Sequence, residues 1–359
     1  MKVLAMMDSV SLLKTLSEVH GPPGREEEVR RVIINYIKNM VDEISIDPLG
    51  NVIAVKKGGN LKVMIASHID EVALITSFIE DSGFIRFSTM GGIDPRILLS
   101  RRVLIHTKNK RLEGIIGVKP KHLLTEEEMK KIPQINQMYI DIGASSKSEA
   151  EELGVRIGDP ITFNEPFVRL TAQRVMGKAL DDRTGVAAII KALDLLKDVQ
   201  LPHTLFAVFT TQEEVGLRGA SSVTYTVNPD IAFVIETTTA ADTPENSPSE
   251  YVTMLGKGPA IRIMDATMIT QQKILDFMIN AANKISVPYQ LQVAPKSGTD
   301  AGAIHISRGG IPTGVISVPA RYLHTPSLII DLTDFEHTVT LITEILKQIK
   351  NKEEFHFSI

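Results

Sequence analysis

The chain has no cysteine and no tryptophan among its 359 residues. Without cysteine it forms no disulfide, holds no thiolate-bound metal or iron–sulfur cluster, and carries no cysteine nucleophile. Aromatic residues amount to 5%, so the flat platforms on which sugar-binding clefts commonly lean are scarce. An excess of one charge is missing too. Thirty-nine Lys and Arg stand against 43 Asp and Glu, a net charge of −4, which gives no polybasic footprint for nucleic acid. No stretch approaches the roughly 18 uncharged apolar residues of a membrane span. The opening residues reach Asp8 before any long apolar run, so they do not read as a secretory signal. These absences point to a soluble, cytoplasmic protein with no nucleic-acid and no membrane partner.

What is present is ordinary globular material, 43% hydrophobic and 23% charged. At roughly 150 residues per domain the length predicts about two domains, enough to bury a core without disulfide or metal staples. Residues 9–19 and 25–40 carry apolar positions at helical spacing, broken by Pro22-Pro23-Gly24. The runs 52–55 and 62–67 read as strands, the second buried on both faces. From about residue 70 to 165 the texture changes to short strand-like runs bounded by glycines and charges: 84–87, 102–107, 114–118, 138–142 and 160–163. Beyond about 168, apolar strands at 204–210, 231–235 and 313–318 alternate with helices at 184–196, 271–284 and 334–348. The expected fold is therefore α/β. Residues 1–69 and 168–359 form a three-layer α/β/α domain with a mostly parallel sheet, and 70–167 form an inserted, β-barrel-like module.

Chemistry-bearing residues gather at strand ends. His68 and Asp70 close the 62–67 strand, Glu213 and Glu214 follow 204–210, Glu236 closes 231–235, and His324 follows 313–318. Asp181 and Asp182 stand just before a helix. In an open α/β sheet, ligands collect at the carboxyl ends of strands. Each piece has a plain alternative: an Asp-Asp pair commonly caps a helix, and a Glu-Glu pair commonly faces solvent. Together they put several acids at the mouths of apolar strands, where uncompensated charge is costly. Imidazole and carboxylate without thiolate suit Zn²⁺, Co²⁺, Mn²⁺ or Fe²⁺. The pattern points to two metals, with one carboxylate shared and one of Glu213 and Glu214 free to act as base.

The motifs His68-Ile69-Asp70, ALDDR at 179–183, TQEEVGLRGA at 211–220, GTDAGAIH at 298–305 and PARYLH at 319–324, taken in order, resemble those of the TET-type (tetrahedral) dinuclear-metal aminopeptidases. That group also carries glutamyl aminopeptidase and endoglucanase-like labels. The resemblance spans about residues 5–350. It implies removal of N-terminal residues from short peptides, by a metal-bridged water with a Glu general base. It also implies two divalent ions per subunit (Zn or Co, with Mn as an alternative) and dimers assembling into a homododecamer. It assigns metal ligation to His68, Asp182, Glu214, Glu236 and His324, with Asp182 bridging. Glu213 becomes the general base, and Asp70 the residue that orients His68. Glu236 stands where the family usually has Asp, so one extra methylene has to be absorbed at that ligand. The segment around Gly298, Thr299 and Asp300 resembles the family's substrate-pocket loop.

Three other readings compete. A glycosidase also needs two carboxylates, but the scarce aromatics and the histidines argue against it. A scaffold or chaperone leaves the acids unexplained. A metal-dependent amidohydrolase acting on N-acyl amino acids has the nearest chemistry, and would recognise a carboxylate end instead of a free amine.

Overall fold

Near-continuous apolar strands need cover on both faces, and parallel strands need helical crossovers to provide it. The computed structural model, which describes residues 7–356, places four such strands side by side and parallel: Thr204–Thr210, Lys62–His68, Ile231–Thr239 and Thr313–Arg321. They form the centre of an 11-stranded sheet. Antiparallel strands extend it at the flanks, with Glu43–Ile46 and Val52–Lys56 on one side and Leu328–Asp331, Arg174–Gly177 and Val168–Arg169 on the other. Ala260–Asp265 pairs antiparallel with Thr313–Arg321 and parallel with Gln290–Ala294. The sheet is thus parallel in the middle and mixed overall, and three of its antiparallel pairs, Glu43–Ile46 with Val52–Lys56, Val168–Arg169 with Arg174–Gly177 and Thr313–Arg321 with Leu328–Asp331, are joined by short connections instead of helical crossovers. Residues 1–6, which include most of the segment before Asp8, lie outside the described residues.

Helices Ser9–Glu18, Glu27–Ile37, Leu180–Leu196, Gln272–Lys284 and Leu332–Gln348 pack on one face, over a core that includes Leu13, Ile33, Val186, Phe233, Met278 and Phe335. Arg218–Val227 and Ala301–His305 cover the other face through Ala220, Val223, Ala301 and Ile304. Several elements carry weak periodicity and are not evident from the sequence pattern, among them Ala73–Ile79, Arg174–Gly177, Ala260–Asp265 and Leu328–Asp331.

Six strands between Ala73 and Phe163 close into a separate barrel that shares no ladder with the large sheet. Its interior is filled by Leu74, Ile85, Phe87, Val103, Ile105, Ile140 and Ile161. The short, glycine-bounded strands of this segment are what a small barrel requires. Among the described residues no helix is long and apolar enough to cross a membrane.

The barrel meets the segment after helix Ser9–Glu18 at a pair of histidines. The rings of His20 and His106 lie 5.0 Å apart. Thr162 Oγ1 sits 2.8 Å from His20 Nδ1 and 2.7 Å from His106 Nε2. Burial pulls both rings down, His20 to about 3 with Lys178 adding, and His106 to about 4 with Arg111 adding. The unfolded chain takes up these protons near 6.5 and the folded chain does not. Between that value and about 4 the unfolded state therefore binds more protons, and stability declines as pH falls. The melting temperature should drop across this window, and drop less steeply in His106→Gln. Equal slopes in both proteins would place the acid sensitivity elsewhere.

Candidate metal centre

Strand register brings the centre together. Thr210 pairs with His68, and Val234 with Ala66, so two residues further along Glu236 stands level with His68. Thr210 ends its strand and leads into Gln212, whose φ of +55° turns the chain and presents Glu213 and Glu214 over the sheet. The strand Thr313–Arg321 runs past the sheet edge to Tyr322 and His324, both with positive φ. Asp181 and Asp182, joined by a cis peptide bond, have non-helical backbone angles at the head of Leu180–Leu196. Their side chains take different directions, Asp181 toward His68 and His324 and Asp182 toward Ser67 and the Gly185 amide.

Six side chains form two groups of three, each with donor atoms within 4.8 Å of one another: His68, Asp182 and Glu236, and Asp181, Glu214 and His324. Asp181 lies between the two histidines. Its Oδ1 is 3.4 Å from His68 Nε2 and its Oδ2 is 3.4 Å from His324 Nε2. Glu236 Oε1 is 3.5 Å from His68 Nε2, and Glu214 Oε2 is 3.6 Å from His324 Nε2. These gaps are long for hydrogen bonds. They match the edges of a tetrahedron of donors around one cation, about 3.3–3.6 Å for bonds of about 2.0–2.2 Å.

The resemblance gave the bridging position to Asp182. In the structure the carboxylate that faces both histidines is that of Asp181. The Asp182 side chain turns back instead: its Oδ2 accepts from Ser67 Oγ at 2.5 Å, and its Oδ1 accepts from the Gly185 amide at 3.0 Å and lies 3.0 Å from Thr237 Oγ1. Only glycine fits at 185, since a Cβ there would stand 2.4 Å from Asp182 Oδ2.

Asp70 also does more than the sequence implied. His68 Nδ1 faces the main-chain carbonyl of Asp70 at 3.1 Å, and the Asp70 carboxylate at 3.6 Å. That carboxylate accepts from the Glu213 amide at 2.9 Å and from the Glu214 amide at 3.1 Å. Asp70 thus clamps the glutamate turn. Replacing it with Asn puts an N–H₂ against one of these amides, and kcat/KM should fall by about 10–100-fold, the usual scale for groups that orient ligands. Kinetics beside metal analysis checks this, and an unchanged kcat/KM would remove Asp70 from the centre.

The electrostatics call for cations. Asp70, Asp181, Asp182, Glu236 and Asp300 are all buried, and Glu213 and Glu214 stand beside them. Burial, then the charge of Glu236, holds Asp182 well above the usual carboxyl range. Burial likewise raises Glu213 strongly, raises Glu214 to about 8 against the pull of His324, and raises Asp300 to about 7 against the Thr210 hydroxyl. Burial opposes the charge on His324, but Asp181 and Glu214 lift it to about 10. A cluster this crowded with like charge is relieved by bound cations, which favour the ionised form of each ligand. The oxygen and imidazole donors fit two divalent ions. Glu236, with its extra methylene, folds back so that Oε1 accepts from the Thr237 amide at 3.1 Å and still reaches His68.

The centre opens into a cleft of about 590 Å³ lined by Glu213, Thr237, Thr238, Arg262, Lys296 and Thr299, among others. The M42 glutamyl aminopeptidase family matches residues 50–341. The chain belongs to this family. The lysyl aminopeptidase of Pyrococcus furiosus is 34% identical over 343 residues, covering 94% of this chain and 97% of that protein. The TET aminopeptidase from a marine-sediment Thaumarchaeota archaeon superposes with a TM-score of 0.94 at 40% identity, covering 97% of this chain and 99% of that one. The TET1 peptidase of Pyrococcus horikoshii, which can assemble into a tetrahedron or a large octahedral shell, gives 0.87 at 34% identity, covering 95% and 100%. As an M42 member this chain is a metal-dependent aminopeptidase, and its two donor clusters fit a dinuclear metal site.

Other singled-out residues have structural duties. Arg183 is fully buried and donates to the carbonyls of Leu16, Val19 and Ile69. Arg321 pairs with Asp242 at 2.7 Å. Gly216 and Leu217 make the positive-φ turn into Arg218–Val227. His122 is exposed on the barrel. Asp300 is buried on Thr210. Ser67 and Thr237, which hold Asp182, have no sequence signature beyond adjacency to a ligand.

Proposed function

We propose that this M42 aminopeptidase removes the first residue from short peptides with a free N-terminal amine, using Zn²⁺ or Co²⁺. His68, Glu236 and Asp181 would hold one ion, Asp181, Glu214 and His324 the other, and Asp182 would stay close to the first as a hydrogen-bonded support. The observation that carries the reading is the Asp181 carboxylate facing both histidines, with Glu213 beside it in neither cluster. When bound, the ions would supply Lewis acidity and a water acidic enough to attack at neutral pH. Glu213 takes the proton of the attacking water and returns it to the leaving amine. Asp70 holds the Glu213 and Glu214 amides, so that the base and the neighbouring ligand keep their spacing. Glu214, as a donor to the second ion, would stay ionised and leave the proton exchange to Glu213.

The cleft wall favours polar or acidic first residues. Lys296 lines it with no ion pair among the described residues, beside Thr238, Thr267 and Ser297. A panel of aminoacyl-p-nitroanilides, run with metal-stripped protein plus Co²⁺, Zn²⁺ or Mn²⁺ and with N-acetylated controls, tests the function. Free-amine substrates should turn over and acetylated ones should not. Turnover confined to the acetylated panel would establish the amidohydrolase reading.

Dimers paired through the 70–167 insert, assembling into a hollow dodecamer, are the proposed quaternary state. Exposed apolar side chains on the insert, among them Phe78, Leu123, Met129, Ile132 and Ile157, support it, as does the shell formed by the Pyrococcus horikoshii relative. A stable monomer in a solution mass measurement would count against it.

A further inference from the structure

The two histidines of the centre are held in different ways. His68 is oriented locally, by the carbonyl of Asp70 two residues on. His324 has no such local hold. Its Nδ1 lies 2.8 Å from the carbonyl oxygen of Gly92, 232 positions away in the chain, in the loop that follows barrel strand Ile85–Met90. The His324 side chain is 37% exposed and its backbone φ is +56°, so burial alone does not fix it. The same loop also touches the partner donor. At Gly91, with φ +91°, a Cβ would stand 3.2 Å from Glu214 Oε2 and 2.9 Å from Val72 Cγ1, and at Gly92 it would meet His324 Nδ1 at 3.3 Å. The barrel thus lays bare backbone against two of the three donors of the second cluster.

We propose that the Gly91-Gly92 loop is a positioning element of the second metal site, so that the inserted barrel is part of the metal centre and an ion bound there ties the barrel to the catalytic sheet. A neutral imidazole coordinates through one nitrogen when the other donates its proton to a fixed acceptor. For His324 that acceptor is the Gly92 carbonyl, which leaves Nε2 facing Asp181 and Glu214. Lack of side chains at 91 and 92 lets the carbonyl come this close. The proposal rests on the dinuclear reading above.

Titration of metal-stripped protein with Co²⁺, followed by its visible d–d bands and by bound metal per chain, separates the two. The parent should bind two equivalents. In Gly92→Ala one equivalent should bind as in the parent, while the other weakens by about 10–100-fold with an altered spectrum. Gly91→Ala should do the same or more. Hydrogen exchange on the unmutated protein gives a reading that no folding defect can spoil: saturating Co²⁺ should raise protection across residues 90–97. Two ions bound with parental affinity in both glycine variants would overturn the proposal. So would unchanged protection of 90–97 in a parent that binds two ions. A parent that binds fewer than two ions would instead overturn the dinuclear reading.

Discussion

Asp181→Ala is expected to leave fewer than one metal ion per chain and to lower kcat/KM by on the order of 10³-fold or more, the scale of losing fixed charge stabilisation in a water-excluded site. The reason is geometric. Each Asp181 oxygen faces a different histidine at 3.4 Å, so removing this carboxylate takes a facing oxygen from both histidines at once. Asp182→Ala should behave differently. It removes the group that Ser67 and the Gly185 amide hold, weakening the His68 cluster by about 10–100-fold and sparing the Glu214–His324 cluster. Metal analysis of the two variants side by side decides the matter. Both ions retained in Asp181→Ala, or both lost only in Asp182→Ala, would return the bridge to Asp182.

Glu213→Gln should lower kcat by about 10²–10⁴-fold, the usual contribution of a general acid–base group, while metal content stays at the parental level. Glu213 stands in neither donor cluster. Burial raises its pKa well above the carboxyl value, so the free protein holds it ready to carry a proton, and bound cations would bring it back toward a base that works near neutral pH. The glutamine is close to isosteric and leaves the backbone clamp from Asp70 intact, which isolates the proton transfer. Glu214→Gln should by contrast reduce both metal content and rate. Full activity in Glu213→Gln would defeat the mechanism on any substrate.

Much of this was legible in the chain itself. Strands at 62–67, 204–210, 231–235 and 313–318 are apolar enough to require burial on both faces, and His68, Glu213, Glu214, Glu236 and His324 sit at or just past their ends. A parallel sheet brings such ends to one edge, so strand pattern and residue type together are enough to gather these groups. The change of texture near residue 70, from long apolar runs to short glycine-bounded ones, likewise marks the barrel, because a small closed sheet turns often and buries one face only.

Tertiary structure alone decided the rest. Asp181 and Asp182 are identical in type and adjacent in sequence. Which of them faces the histidines depends on backbone angles at the helix head, and on Ser67 and Thr237 from two neighbouring strands and the Gly185 amide of the same helix, which hold one carboxylate aside. Asp70 was legible as a companion of His68. Its grip on the Glu213 and Glu214 amides was not, because those bonds span 143 and 144 positions. The Gly92 carbonyl is the extreme case. Every residue carries a carbonyl, so no residue type announces one that orients a ligand. Residue types and their periodicity determined which groups reach the edge of the sheet. Which atom faces which was decided by backbone hydrogen-bonding groups and loop dihedrals that meet only after the barrel has docked on the sheet.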